Sequence, residues 1–221
     1  LVISHKLLGT GEWFVVHHAG GSTALHSAVE DAEDDDEAGA AELAASASPG
    51  DFVLGLTASG RTPYVLGALR AAREVGAHTG LVFSNPHATG LLDIDVLIEV
   101  DTGPEVVAGS TRMKAGTAQK LVLTAFSTAV MVKLGRTYSN LMVSMRATNA
   151  KLRGRTLRIL REATGLSQQE CAVALDAANG DLKVALVHLL SGVDTERAAR
   201  ALAATDGHVR QALTTLGVAA V

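Results

Sequence analysis

Cysteine is almost absent from this chain: there is one, Cys171, in 221 residues. It cannot close an internal disulfide, and it stands in a helical pattern (Gln169, Glu170, Cys171, Ala172, Val173), so a reducing cytoplasm is the expected location. A surplus of one charge is missing too. With 19 Lys and Arg against 23 Asp and Glu, the formal net charge is −4, too little positive field for a nucleic-acid partner. No apolar run reaches the ~18 residues that a membrane span requires, and Leu1 to Gly11 lacks the basic flank and apolar core of a signal peptide. Neither nucleic acid nor membrane is an expected partner; a small molecule is. The chain opens on Leu1 rather than Met and soon reaches a strand-like run, so an upstream segment is expected.

The hydrophobic content of 48% suffices for one core, or one core with a small appendage. Apolar runs rich in β-branched residues occur at Trp13 to Val16, Asp51 to Leu56, Gly80 to Phe83 and Val96 to Val100, with segments of helical length between them. That alternation predicts βαβ units and a buried parallel sheet, an α/β fold. Between the second and third runs, Tyr64, Val65, Ala68, Leu69 and Ala72 share a helical stripe, with Pro63 in the first turn and Gly76 as the stop. A longer helix, Gly116 to Leu134, ends at Gly135. It is apolar nearly all round, as expected of a helix packed between a sheet and another subunit, and a homodimer follows as the expected assembly.

From Arg153 onward strands vanish and alanine-rich helices take over, separated by Gly165, Gly180, Gly192 and Gly207. A boundary near Ala163 divides an α/β domain, 1–163, from a small all-α module, 164–221. Within the module Leu175, Ala177, Gly180, Leu182, Ala185 and Leu186 recur at one fixed spacing as Leu202, Ala204, Gly207, Val209, Ala212 and Leu213. Each copy reads helix, Gly-containing turn, helix, and two copies bury a face that neither buries alone. The pattern resembles ubiquitin-associated helical modules; a packing or dimerisation module is the plainer reading.

Two loops suit an anion. Thr57, Ala58, Ser59, Gly60, Arg61 and Thr62 form a short polar turn at the end of a strand and feed a helix, so backbone N–H groups and the positive helix end are on offer, with Ser59 and Thr62 hydroxyls and the Arg61 charge beside them. The same residues also suit an ordinary turn with Thr62 as N-cap. The second loop, Gly109 to Thr117, carries Ser110, Thr111, Arg112 and Lys114; its spacing differs from the Walker phosphate loop, which argues against ATP hydrolysis. Here too Ser110 and Thr111 can simply cap a turn while Lys114 faces water. The acidic run Glu30 to Glu37 reads as a solvated face, although on a helix Glu30, Glu33, Asp34 and Glu37 would share one side and crowd their charges. His17, His18 and His26 do not make a metal site, because neighbouring strand residues point to opposite faces and no closing ligand has usable spacing.

The strings GLTASGRTPYVLGALRAAREVG (Gly55 to Gly76), SNP (Ser84 to Pro86), GPEVVAGSTRMKAGTAQKLVL (Gly103 to Leu123), NLMV (Asn140 to Val143) and ATNAKL (Ala147 to Leu152) resemble the N-acetylmuramic acid 6-phosphate etherases, as does AVEDAED (Ala28 to Asp34). The resemblance implies a flavodoxin-like sugar isomerase (SIS) domain, a homodimer, and no cofactor, metal or nucleotide. It implies a lyase that cleaves the ether between D-lactate and C3 of the aminosugar phosphate, giving N-acetylglucosamine 6-phosphate in peptidoglycan recycling. It makes Glu33 a catalytic carboxylate and assigns Ser59, Gly60, Arg61, Thr62, Ser110, Thr111 and Lys114 to the phosphosugar. The family pattern also has an upstream first strand with a glycine-rich phosphate loop and a second catalytic glutamate. The sequence contains neither; Gly9, Thr10 and Gly11 are too few and badly placed to replace the loop. Two other readings stand beside the enzyme: a phosphosugar-binding regulator resembling the glucokinase regulatory protein, and a catalytically silent SIS protein.

Overall fold

The computed structural model describes residues 2–5, 14–27, 29–88, 93–145 and 149–218. Trp13, Ala28, Ala147 and the Gly9 to Gly11 stretch, each part of an expectation above, lie outside them. The chain divides into two compact units, Leu1–Thr124 and Ala125–Val221.

The first unit is built on a five-stranded sheet of order β2-β1-β3-β4-β5, from β1 (Val2–His5), β2 (Phe14–His17), β3 (Phe52–Leu56), β4 (His78–Phe83) and β5 (Val96–Glu99). β3, β4 and β5 are parallel, as the apolar runs predict. β1 was not foreseen, and it runs antiparallel to both neighbours, so the sheet is not parallel throughout. For the β1–β2 pair the reason is chain length: a parallel crossover takes a dozen or more residues, and fewer than that separate His5 from Phe14.

Both faces of the central strands are buried. Val53 and Leu81 pack under α2 (Pro63–Val75) with Leu43, Tyr64, Val65 and Leu69. On the opposite face Leu54, Leu56 and Val82 meet Ile98, Val122 and Leu123, the last two from α3 (Lys114–Lys133). The period-2 alternation of β3 therefore serves two layers at once. α2 starts at Pro63 and stops at Gly76, whose φ of +89° is a left-handed cap.

The acidic run departs from the helical expectation. Residues 30–34 form a turn, with Asp31 at φ +60°, and α1 (Asp36–Ala44) begins only where the Asp35 carboxylate accepts the Ala38 N–H at 2.8 Å. That cap fixes the helix start. Glu30, Glu33 and Asp34 are thus off the helix, and the crowded helical face does not form. α1 crosses α2 backbone to backbone: a Cβ on Gly39 would lie 2.1 Å from the Tyr64 carbonyl oxygen, and one on Gly67 would lie 2.0 Å from that of Asp36.

The second unit takes in the end of α3 and a hairpin, β6 (Thr137–Tyr138) and β7 (Leu141–Met142), then runs through α4 (Ala150–Thr164), α5 (Gln168–Ala177), α6 (Leu182–Ser191), α7 (Thr195–Ala203) and α8 (Val209–Thr215). The sequence repeat is a structural one. Leu175, Leu182, Ala185 and Leu186 of α5 and α6 enter one buried cluster with their counterparts Leu202, Val209, Ala212 and Leu213 of α7 and α8. The turns repeat as well: Asn179 and Gly180 have φ +52° and +77°, Asp206 and Gly207 +50° and +74°. Ile159 and Leu160 of α4 pack into this same cluster. Cys171 is fully buried in it as a free thiol.

Candidate functional site

The turn after β3 is organised by Thr57. Its N–H continues the sheet ladder to Val82 O at 3.0 Å, and its hydroxyl lies 2.7 Å from that of Thr62 and 3.3 Å from that of Ser59. Thr62 stands at the N-cap of α2, yet its hydroxyl turns to Thr57 and caps no helix N–H. Ser59 Oγ accepts the Arg61 N–H at 3.1 Å. Two residues of the SNP string brace the turn from the next strand: Ser84 N–H donates to Ala58 O at 3.0 Å and Asn85 Nδ2 to Ser59 O at 3.3 Å. Gly60 sits at φ +75° with its missing Cβ 2.9 Å from Ala88 Cβ, so only glycine suits this bend. Among the described residues no acceptor meets the N–H groups of Ser59, Gly60 and Thr62. Successive free N–H groups at a helix start form an anion cradle.

Glu33 reaches the same place from the turn before α1. Its carbonyl oxygen accepts the Tyr64 N–H at 3.0 Å, and the Tyr64 side chain is buried with its hydroxyl donating to Glu42 Oε2 at 2.6 Å. Burial, then Glu42, pushes the Tyr64 phenol well above its ordinary range, so it stays protonated and keeps donating.

A cavity of about 340 Å³ joins these parts: Glu33, Ser59, Thr62 and Thr111 line it together with His18, Thr57 and Gln119. Gly60, Arg61, Ser110 and Lys114 are not among the lining residues. Ser110 Oγ accepts the Arg112 N–H at 3.2 Å, and Lys114 Nζ donates to Pro104 O at 2.8 Å. The helix start at α3 already has an anion, since the Glu105 carboxylate accepts the Lys114 N–H at 2.9 Å and the Ala115 N–H at 3.2 Å. Of the two anion-seeking loops, the Thr57 to Thr62 turn gives Thr57, Ala58, Ser59 and Thr62 to the cavity lining, and the Gly109 to Thr117 loop gives Thr111.

Two lining residues, His18 and Gln119, have no ligand role in the reading of the sequence, and Thr57 stands there only as the first residue of the anion-suited turn. His18 was weighed only as a metal ligand; its Nδ1 lies 2.9 Å from Ala19 O, and a carbonyl partner puts the proton on Nδ1. Thr57 is signalled by a hydroxyl at the carboxyl end of a parallel strand, where ligands of such sheets bind. Gln119 lies one helical turn after the buried Ala115 and so shares its face. Among the described residues no group of three or more His, Cys, Asp or Glu is placed to hold a metal ion, and no helix is long and apolar enough to cross a membrane.

Sequence comparison bears on the same segments. Residues 5–73 match the family of the glucokinase regulatory protein N-terminal SIS domain. The chain is 63% identical over 177 residues to the N-acetylmuramic acid 6-phosphate etherase of Thermobifida fusca, which covers 80% of the chain and 58% of that protein. It is 54% identical over 196 residues to the etherase of Rubrobacter xylanophilus, covering 88% of the chain and 64% of the relative, and 50% identical to that of Pectobacterium atrosepticum, covering 88% and 65%. The chain belongs to the N-acetylmuramic acid 6-phosphate etherase family. It spans 58% to 65% of the length of these etherase relatives. The parallel strands, their flanking helices and the matched SIS segment agree with the α/β class expected from the apolar runs.

Proposed function

We propose that this chain carries the phosphosugar site of an etherase that cleaves the D-lactyl ether of N-acetylmuramic acid 6-phosphate, giving N-acetylglucosamine 6-phosphate and D-lactate. The observation that carries this reading is that Glu33 and the donor-rich Ser59 to Thr62 turn line one cavity. The phosphate takes the turn, where Ser59, Thr62 and the free N–H groups of Ser59, Gly60 and Thr62 donate to it; the Arg61 charge and the Thr111 hydroxyl add to its hold. Ser110 and Lys114 belong to the Thr111 loop and act on the sugar only through it.

With the phosphate anchored and the sugar open as its aldehyde, the C2 proton is acidified by the neighbouring carbonyl. Glu33 takes that proton, the C2–H electron pair forms the C2–C3 double bond, and the C3–O bond breaks. The departing lactate oxygen needs a proton. His18, the other titratable residue lining the cavity, is assigned to deliver it from Nε2 of its doubly protonated ring and to take a proton back from the water that adds at C3. Water then adds at C3 and the proton returns to C2. No cofactor enters these steps.

The second subunit fits the same picture. In α3 only Ala115 is buried, while Leu121 and Val132 are 58% and 50% exposed; a homodimer would cover that apolar surface. A cytoplasmic location suits a free thiol and a phosphosugar substrate. The names of the matched relatives favour the enzyme over the regulatory protein and over a silent remnant. Joining the chain to the upstream strand, glycine-rich loop and glutamate of the family pattern and assaying D-lactate from N-acetylmuramic acid 6-phosphate tests the reading: stoichiometric lactate and N-acetylglucosamine 6-phosphate are expected from the joined protein, and little from the 221 residues alone. Binding of the phosphosugar without lactate release would return the chain to the regulator class.

A further inference from the structure

One polar side chain lining the phosphosugar cavity has neither a partner nor a part in the reaction. Gln119 reaches the cavity from α3 and is half-buried, and among the described residues its carboxamide meets no hydrogen-bonding group. A carboxamide offers two donors and an acceptor, and withdrawing them from water without replacement costs stability. A ligand group that both accepts and donates would offset that cost.

The helix face fixes the side from which Gln119 approaches. It lies one turn after Ala115 and one turn before Val122 and Leu123, so all four share one side of α3. Val122 and Leu123 pack on Leu54, Leu56 and Val82, which puts Gln119 at the carboxyl end of β3, where Leu56 and Thr57 line the same cavity. Glu33 comes from the other layer. Its carbonyl oxygen is held by the N–H of Tyr64 in α2, and α2 packs with Val53 and Leu81 on the opposite face of the sheet. The proposed base and the unpartnered amide thus enter the cavity from opposite faces of the sheet, with the phosphate turn at the strand end between them.

That placement selects among the groups of the sugar. A base aimed at the C2 proton directs the other substituents of that tetrahedral carbon away from itself, towards α3. The carbon chain runs back to the phosphate, and the C1 carbonyl only accepts. The acetamido group on C2 does both, donating through its N–H and accepting through its carbonyl oxygen, as a carboxamide partner requires. Its methyl needs an apolar surface, and the buried Leu56 side chain supplies one beside Gln119.

We propose that Gln119 is a specificity-determining residue that reads the C2 acetamido group: its amide N–H donates to the acetamido oxygen, its amide oxygen accepts the acetamido N–H, and the acetyl methyl rests on Leu56. The assignment rests on the phosphosugar reading of this cavity. It adds the distinction between an N-acetylated aminosugar phosphate and a plain hexose phosphate, which the phosphate turn and Glu33 do not make.

The test compares two ligands by calorimetry in the protein joined to its upstream loop and second glutamate: N-acetylglucosamine 6-phosphate, and glucose 6-phosphate, which has a hydroxyl in place of the acetamido group. The parent is expected to prefer the first by about tenfold or more. Gln119→Met keeps the length of the side chain without its polar atoms. It should lose that preference while binding glucose 6-phosphate as the parent does; if it unfolds, Gln119→Leu repeats the comparison. A parent that binds both sugars equally, a folded variant that still prefers the acetamido sugar, or one that weakens both sugars alike would overturn the assignment and leave the phosphosugar reading in place. A parent that binds neither sugar overturns that reading, and the assignment with it.

Discussion

The backbone N–H of Tyr64 donates to the carbonyl oxygen of Glu33 at 3.0 Å. The helix that starts at the anion cradle thus also holds the segment bearing the proposed base, and the two halves of the site are fixed by one helix end. Gly67, one turn further along α2, lets the Asp36 carbonyl approach to where a Cβ would stand 2.0 Å away. Gly67→Ala must push α1 outward, at about 1–3 kcal/mol for such overpacking. Denaturant unfolding is expected to show that loss, and turnover per folded molecule to fall as Glu33 shifts. An unchanged midpoint would mean that the two helices yield without strain.

Ser59 sits at the centre of the cradle, with its hydroxyl 3.3 Å from that of Thr57 and also accepting from Arg61 N–H. A hydrogen bond to a charged group is worth roughly 1.5–3 kcal/mol, so Ser59→Ala should weaken N-acetylglucosamine 6-phosphate binding about tenfold or more by calorimetry. Equal affinity in the variant would move the phosphate elsewhere.

His17 gives the fold a pH dependence of defined sign. Its Nε2 lies 2.8 Å from Ser46 Oγ and its Nδ1 3.8 Å from Glu42 Oε2; burial holds the imidazole below its ordinary range, and Glu42 only partly offsets this. The unfolded chain takes up the proton near about pH 6.5, the folded one only at lower pH. The stability tied to neutral His17 is therefore full above about 6.5 and is lost as pH falls from there towards the folded value. His17→Gln should flatten the decline of the denaturant midpoint between about pH 7.5 and about 5.5. Parallel curves for parent and variant would show that His17 does not contribute.

The strands of the sheet were legible because Phe52 to Leu56 and His78 to Phe83 are short apolar runs bounded by turn residues, a local signal. The tail repeat was legible because its Leu, Ala and Gly positions recur at one spacing, and the buried cluster follows them. Other features depend on partners distant in sequence. Nothing around Lys114 shows that Glu105 occupies the α3 helix start, and four residues at Val2–His5 carry too little periodicity to announce a strand. The acidic run misled because helix and turn place the same charges differently, and Asp35 as a cap decides between them. In the cavity, Glu33 and Thr111 were expected to act on the sugar, whereas His18 had no role until the fold brought it beside them.

His18 is assigned to proton delivery because it lines the cavity with Glu33 and holds Ala19 O through Nδ1, which leaves Nε2 for transfer. His18→Ala should lower lactate release by about 10²-fold or more with KM little changed, and added imidazole should restore part of it. Full activity in the variant would leave Glu33 as the one proton-transfer group of the two.

The most direct measurement is made on Glu33→Gln in the protein completed with the upstream loop and second glutamate, with two readouts on the same sample: calorimetric binding of N-acetylglucosamine 6-phosphate and the rate of D-lactate release from N-acetylmuramic acid 6-phosphate. The amide keeps the size of the side chain and leaves the Tyr64 contact to the backbone intact. Binding should match the parent chain while lactate release falls by at least about 10²-fold. Lactate release at the parent rate would contradict the account and leave Glu33 as a solvated charge at the cavity mouth.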